Sequence, residues 1–302
     1  MSTTISHTTT FAEAYRDFKQ ITKAGLSASV VFSSVAGYLL GADTVSLYVL
    51  LLLAFGGYFM VGASNVFNQI IEKDLDALMN RTKNRPIPTG RISVPLALFI
   101  GGVFIIAGLS LLAIVNMKTA MFSAISVLLY VGFYTPLKTR TPLSVFVGAF
   151  PGAIPFMLGW VAATNNFGIE AGTLFMIQFF WQFPHFWAIG WLLDDDYKRA
   201  GFKLLPTDKK SKSTVVQIIM YTIWMMLAAV FPAFGWTGDL HLSRLAALIV
   251  TLLGCMMLWQ AFQLYNQLTQ QAARKLMFAS VIYITLIQIV YVTDKWIRIW
   301  IV

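Results

Sequence analysis

The run LYVLLLLAFGGYFMVGASNVFNQII, from Leu47 to Ile71, carries no charged residue, and the acidic stretch Glu72-Lys-Asp-Leu-Asp76 follows at once. A helix of about 20 apolar residues spans the hydrocarbon core of a bilayer. The run therefore reads as a transmembrane helix that ends on acid. Eight more stretches of this kind lie at Ala24–Gly41, Val94–Val115, Thr119–Tyr134, Ser144–Ala163, Thr173–Leu193, Val215–Trp236, Leu245–Tyr265 and Leu276–Val292. They are long and do not alternate, which excludes a membrane β-barrel and predicts an all-α polytopic protein of nine transmembrane helices.

The composition agrees. Of 302 residues, 58% are apolar and only 12% charged, about half the charged share of a soluble domain. Mean hydropathy is +0.71. The single cysteine, Cys255, excludes an intrachain disulfide. The net charge of +9 would raise nucleic acid as a partner for a soluble chain, but here the cations sit at span ends. Eighteen of the 22 Lys and Arg residues fall in the N-terminal segment and in the loops after the second, fourth, sixth and eighth spans. The positive-inside rule then places the N-terminus and those loops in the cytoplasm and the C-terminus outside, with the lipid bilayer as partner and no nucleic acid. We expect a cytoplasmic segment over residues 1–23, with an interfacial amphipathic helix from Phe11 to Ile21, and a single domain over residues 24–302. The first apolar run lacks a cleavage site, and no Arg-rich presequence precedes it, so a bacterial inner membrane is expected.

Six of the 13 acidic residues form two clusters, Glu72, Asp74 and Asp76 after the second span and Asp194, Asp195 and Asp196 after the sixth. Both lie beside dense Lys and Arg. Acid with base suggests carboxylates holding Mg²⁺ and cations holding the phosphate that the metal bridges. Asn68, Glu72 and Asp76 stand at i, i+4 and i+8 and so share one helical face, from which Asp74 points away. Arg81, Lys83 and Arg85 could wrap a diphosphate, although positive-inside topology alone accounts for many such loops. In the second cluster we favour Asp196.

The stretch Asn68-Gln-Ile-Ile-Glu72-Lys-Asp-Leu-Asp76, with Arg81-Thr-Lys-Asn-Arg-Pro86, resembles the first aspartate-rich motif of the UbiA superfamily of intramembrane prenyltransferases. Tyr134-Thr-Pro-Leu-Lys138-Thr-Arg140-Thr-Pro142, Trp181-Gln-Phe-Pro184-His185-Phe186 and Asp196-Tyr197 with Leu204-Leu205-Pro206 resemble segments of its haem-farnesylating branch. The resemblance runs from Thr22 to the ninth span. It implies nine helices around a central cavity, with farnesyl diphosphate and haem B as substrates, haem O as product and Mg²⁺ as the metal. It also implies a haem A synthase or terminal oxidase assembly as partners. Residue by residue, Asn68, Glu72, Asp76 and Asp196 would hold the metal and carry catalysis. Arg81, Lys83, Arg85, Lys138, Arg140 and Lys198 would bind diphosphate. Two positions depart from the pattern. Glu72 stands where Asp is usual, one carbon longer. Leu192 stands one turn before Asp196 where a second acid would complete another metal site.

His185 lies deep in the sixth span beside Pro184. It reads either as a hydrogen-bonded core residue or as a ligand of the haem iron. On a continuous helix it would share a face with Asp196, about 16 Å along the axis. Phe133, Tyr134, Trp181 and Trp187 are the aromatics nearest the motifs and read as packing or as the wall of a prenyl groove. Three rivals remain at this point. They are a prenyltransferase acting on a quinone precursor or a chlorin, a membrane transporter, and a porphyrin carrier without catalysis.

Overall fold

A computed structural model describes residues 10–301; residues 1–9 of the expected N-terminal segment fall outside it. The described chain is all helix and loop. The elements are α1 Phe11–Ile21, α2 Ala24–Gly41, α3 Leu47–Ile71, α4 Lys73–Leu78, α5 Val94–Val115 and α6 Met117–Leu128. A π-helical turn, Leu129–Tyr134, leads to α7 Thr135–Leu137. Then come α8 Ser144–Thr164, α9 Ile169–Leu192, α10 Asp194–Arg199, α11 Lys212–Val230, α12 Arg244–Gln267 and α13 Gln270–Ile301. Side-chain caps start five of the long helices: Ser46, Ser93, Asn116, Ser211 and Ser243 each accept a backbone N–H of the first turn. Each cap satisfies an amide that the helix itself leaves free.

Eight helices among the described residues are long and apolar enough to cross a membrane. The ninth expected span is α9. It has the length, 24 residues, but Gln178, Gln182, Pro184, His185 and its tryptophans dilute its apolarity. Its neighbours explain why that is tolerated, since α9 packs against α8, α11 and α13. Burial sorts the spans. In α5 only Ala97, Gly101, Phe104, Gly108 and Leu112 are buried, a single stripe at helical spacing, so the rest of its surface meets lipid. In α8, 15 of 21 residues are buried, which makes it the interior helix.

Two features hold that interior. Gly37 of α2 and Gly159 of α8 face one another so closely that a Cβ on either would fall on the other helix's backbone. Small residues allow such backbone approach where lipid removes the ordinary hydrophobic drive. A buried polar knot adds to it. Ser33 of α2 accepts from Gln288 of α13 at 3.0 Å, and the Gln178 amide oxygen of α9 accepts the Phe156 N–H at 3.1 Å, next to Pro155.

The amphipathic α1 forms over the expected residues, opened by a Thr10–Glu13 capping box. It is docked on the protein. Asp17 is buried and pairs with Arg91 at 3.0 Å, while Gln69 of α3 donates to the Ile21 carbonyl at 2.7 Å.

Candidate active site

Both acidic clusters sit where a long helix breaks. α3 ends at Ile71, Glu72 turns at φ −92°, ψ 9°, and α4 restarts at Lys73. α9 ends at Leu192, Leu193 turns at φ −106°, ψ 16°, and α10 restarts at Asp194. These breaks correct the two continuous-helix rulers used on the sequence. In the first, hydrogen bonds from Glu72 N to the Asn68 carbonyl (2.9 Å) and from Asp76 N to the Glu72 carbonyl (2.7 Å) span the break. Asn68, Glu72 and Asp76 all stay buried, at 1%, 4% and 0% exposure, while Asp74 is exposed. In the second, the axial distance from His185 to Asp196 no longer follows from helix rise, because the chain turns at Leu193.

The buried acids meet cations from two segments. Asp76 Oδ2 pairs with Arg85 at 2.7 Å, and Glu72 Oε1 with Lys138 at 2.8 Å. The Asn68 amide donates to Thr135 Oγ1 at 3.1 Å. The π turn precedes Thr135 and Lys138 directly, and such turns re-aim side chains at functional sites. The Lys138 ammonium also lies 4.6 Å from the centre of the Tyr134 ring. Burial alone would lower the Lys138 pKa, but Glu72 outweighs it and the ammonium titrates above its ordinary value.

Two more contacts tie the loops into one cap. Asp196 accepts the backbone N–H groups of Asn80 and Arg81, at 3.2 and 3.1 Å, and also pairs with Arg199. Lys203 N donates to the Lys138 carbonyl at 2.7 Å. The loops after α4, α7 and α10 are therefore at one end of the bundle.

The structure does not gather every residue singled out from the sequence. Asp196 gives its oxygens to a neighbouring loop and to Arg199, and it is Asp194 that is buried, paired with Lys198 at 2.8 Å and Lys210 at 3.5 Å. Lys83 is exposed and bonded to Asn80, and Arg81 is exposed with its guanidinium 5.5 Å from the Tyr197 ring. Arg140 is exposed and its side chain bonds to no described residue. Of the six cations chosen, Arg85 and Lys138 reach Glu72 and Asp76. Asp194 and Lys198, with Tyr197, Phe202 and Lys203, line a separate cavity of about 290 Å³.

One cation was read from the sequence as topology alone. Lys23 takes a left-handed backbone, φ 46°, at the start of α2, and Asn65 of α3 donates to the carbonyl just before it at 3.4 Å. Its ammonium pairs with no carboxylate among the described residues. Burial first, then the charges of Arg85 and Lys138, pull its pKa down to about 7 against the opposing pull of Glu72 and Asp76. No sequence pattern marks that fold-back of the N-terminal segment over α3.

These donors suit a hard divalent cation. Asp76 Oδ1 is buried without any hydrogen-bond partner, and Glu72 Oε1 has only its ion pair. Among the described residues no three His, Cys, Asp or Glu side chains converge. The site thus offers one amide and two carboxylates, the sparse set with which Mg²⁺ binds when phosphate and water complete its shell.

In α9, His185 Nδ1 lies 2.8 Å from Ser280 Oγ of α13, and the ring stacks on Trp181 at 4.6 Å. Both sequence readings of His185 survive, since the imidazole is hydrogen-bonded on one side and unpartnered on the other.

Comparison with known proteins gives the family and the fold. Residues 30–282 match the model of the UbiA prenyltransferase family. The chain is 64% identical over 290 residues to a protoheme IX farnesyltransferase of Christiangramia forsetii, covering 96% of this chain and 97% of that protein. Its fold is similar to a solved digeranylgeranylglyceryl phosphate synthase, with TM-score 0.76 and 16% identity over 93% of this chain and 98% of that one. It is also similar to a UbiA homolog from Archaeoglobus fulgidus bound to GPP and Mg²⁺, with TM-score 0.67 and 14% identity over 92% and 99% of the two chains. The family match over most of the chain, the near-full-length identity and the similar fold lead to one conclusion: the chain belongs to the UbiA prenyltransferase family, among the protoheme IX farnesyltransferases.

Proposed function

We propose that this chain transfers the farnesyl group of farnesyl diphosphate to a vinyl group of haem B, with addition of water, giving haem O and diphosphate. The observation that carries the site assignment is the pair of buried carboxylates, Glu72 and Asp76, each ion-paired to a cation, with Asp76 Oδ1 buried and without a partner. In this reading Asn68, Glu72 and Asp76 hold Mg²⁺, which supplies charge against the diphosphate. Arg85, Lys138 and Lys23 bind its oxygens, and Arg81, Lys83, Arg140 and Lys198 stand at the rim as later contacts. Asp196 keeps the Arg81–Arg85 loop closed over the site. That loop and the buried ring of cations stabilise charge as it develops on the leaving group.

The chemistry needs no covalent enzyme intermediate. The allylic C–O bond breaks and its electron pair leaves with diphosphate. The terminal carbon of the vinyl group attacks the farnesyl cation. Water then adds to the cation left beside the porphyrin and loses a proton, leaving a hydroxyl. The bacterial inner membrane, with the acidic clusters facing the cytoplasm, is the proposed location. A haem A synthase or an oxidase assembly is the proposed recipient of the product. The quinone or chlorin acceptors and the carrier reading would share the diphosphate site or lack its use, so the product decides among them.

Purified protein supplied with farnesyl diphosphate, haem B and Mg²⁺ is expected to yield a haem heavier by one farnesyl group plus one hydroxyl, seen by mass spectrometry and lost with EDTA. Unchanged haem alongside farnesylation of a quinone precursor would overturn the acceptor.

Lys23 adds a pH signature. With its pKa near 7 in the empty site, most Lys23 is neutral at pH 8. A bound anion raises that pKa, so binding takes up about one proton at pH 8, and less as pH falls below 7. Titration calorimetry of a non-reactive farnesyl diphosphate analogue in two buffers of different ionisation heat reads this. Lys23→Ala should remove the uptake; wild-type protein binding without it would refute the assignment.

A further inference from the structure

We propose that Ser280 of α13 is a positioning residue that holds His185 with its proton on Nδ1, leaving the Nε2 lone pair free to ligate the iron of the haem substrate. The inference rests on haem as the acceptor. It adds which atom of His185 meets the iron and what prepares it.

The argument is a count of protons. Ser280 Oγ lies 2.6 Å from the Met277 carbonyl oxygen, which can only accept, so the hydroxyl proton goes there. The same Oγ lies 2.8 Å from His185 Nδ1. With its own proton placed, Oγ can only accept from the ring, so Nδ1 carries hydrogen. The opposite tautomer, with its proton on Nε2, would set a bare Nδ1 against an Oγ that has no proton left to give it. An imidazole among apolar helices, with no carboxylate bonded to it, is neutral, so only one nitrogen is protonated. Nε2 is then a free base.

Ser280 fixes the ring's orientation as well. Its main-chain carbonyl accepts the Trp181 indole N–H at 2.7 Å. Trp181 stacks on His185 at 4.6 Å with the planes 16° apart. One residue of α13 therefore holds two residues of α9 spaced a helical turn apart, the imidazole by its hydroxyl and the indole that covers it by its carbonyl. His185 itself is only half-buried. A histidine whose second nitrogen donates to a fixed oxygen is the usual arrangement for a metal ligand, because the bond sets the tautomer and raises the basicity of the ligating nitrogen.

The test reads haem bound to full-length protein in detergent, by absorption and by the iron–histidine stretch of the ferrous form. Wild type is expected to show histidine ligation. His185→Ala should lose it, and added imidazole should restore it. Ser280→Ala should keep the fold, lower the iron–histidine stretch and weaken haem binding on the order of tenfold, while Ser280→Thr, which keeps the hydroxyl, should behave as wild type. The proposal is overturned if Ser280→Ala matches wild type in both readouts, or if His185→Ala retains the histidine spectrum. Should haem still be farnesylated in either of those cases, the function stands and the ligand assignment alone fails. A wild type that binds no haem would overturn both.

Discussion

Asp76→Asn is expected to abolish turnover while leaving a folded protein. The substitution keeps the shape of the side chain and removes its charge. Asp76 is fully buried, gives one oxygen to Arg85 at 2.7 Å and holds the other without a partner. Asn still offers an oxygen to Arg85 but is a poor ligand for Mg²⁺ and no counter-charge. Preorganised electrostatic contacts to developing charge are each worth on the order of 10²–10³ in rate, and loss of a metal carboxylate removes at least one. Breaking a buried ion pair costs stability, but Arg85 keeps 20% side-chain exposure, so water relieves part of that cost. Product formation and the thermal midpoint in detergent check both halves. Asp74→Asn removes the same charge two residues away on an exposed side chain, and its turnover should stay within about twofold of wild type. Near-normal turnover in Asp76→Asn would sink the metal site.

Gly159→Ala should have the largest effect on stability. A Cβ at Gly159 falls on the Ser34 carbonyl oxygen and the Tyr38 amide of α2, and 2.8 Å from the Gly37 carbonyl carbon. All three are backbone atoms inside a helix, so no rotamer change relieves the contact. The two helices must separate, and α8 carries the most buried surface of the bundle. Overpacking of this kind costs about 3 kcal/mol or more, expected as a sharp loss of monodisperse protein and a lowered melting midpoint. Gly102 and Gly172 have nothing within 4 Å of a built Cβ, so alanine there should be neutral or stabilise by up to about 1 kcal/mol. Equal behaviour of Gly159→Ala and Gly172→Ala would refute the close crossing.

Membrane class and chemical type were legible from the chain because each rests on a local signal, and the number of helices was legible approximately. Long uncharged runs specify spans. The acid and base mixture after Ile71 is the residue supply that a metal and a phosphate would need, whatever the helices do next. Span ends were less legible. α13 runs from Gln270 to Ile301 although its apolar part is Leu276–Val292, because a helix continues past the hydrocarbon wherever caps and partners permit. Asn68, Glu72 and Asp76 were grouped by assuming one continuous helix, and hydrogen bonds bridge the turn that breaks that helix at Glu72.

By itself, then, the sequence determined the class of fold, its end-to-end charge asymmetry and the residue types of the site. The tertiary structure decided which cations lie by the acids, since Lys23, Arg85 and Lys138 come from three separate segments of the chain between residues 23 and 138. It also set Asp196 against the amides of Asn80 and Arg81 and gave His185 its partner on α13. The physical reason is the same in each case. Charge and apolarity act through composition and short spacing, whereas ion pairing, amide capping and tautomer choice depend on which atoms lie within about 3 Å, and only the folded bundle sets that.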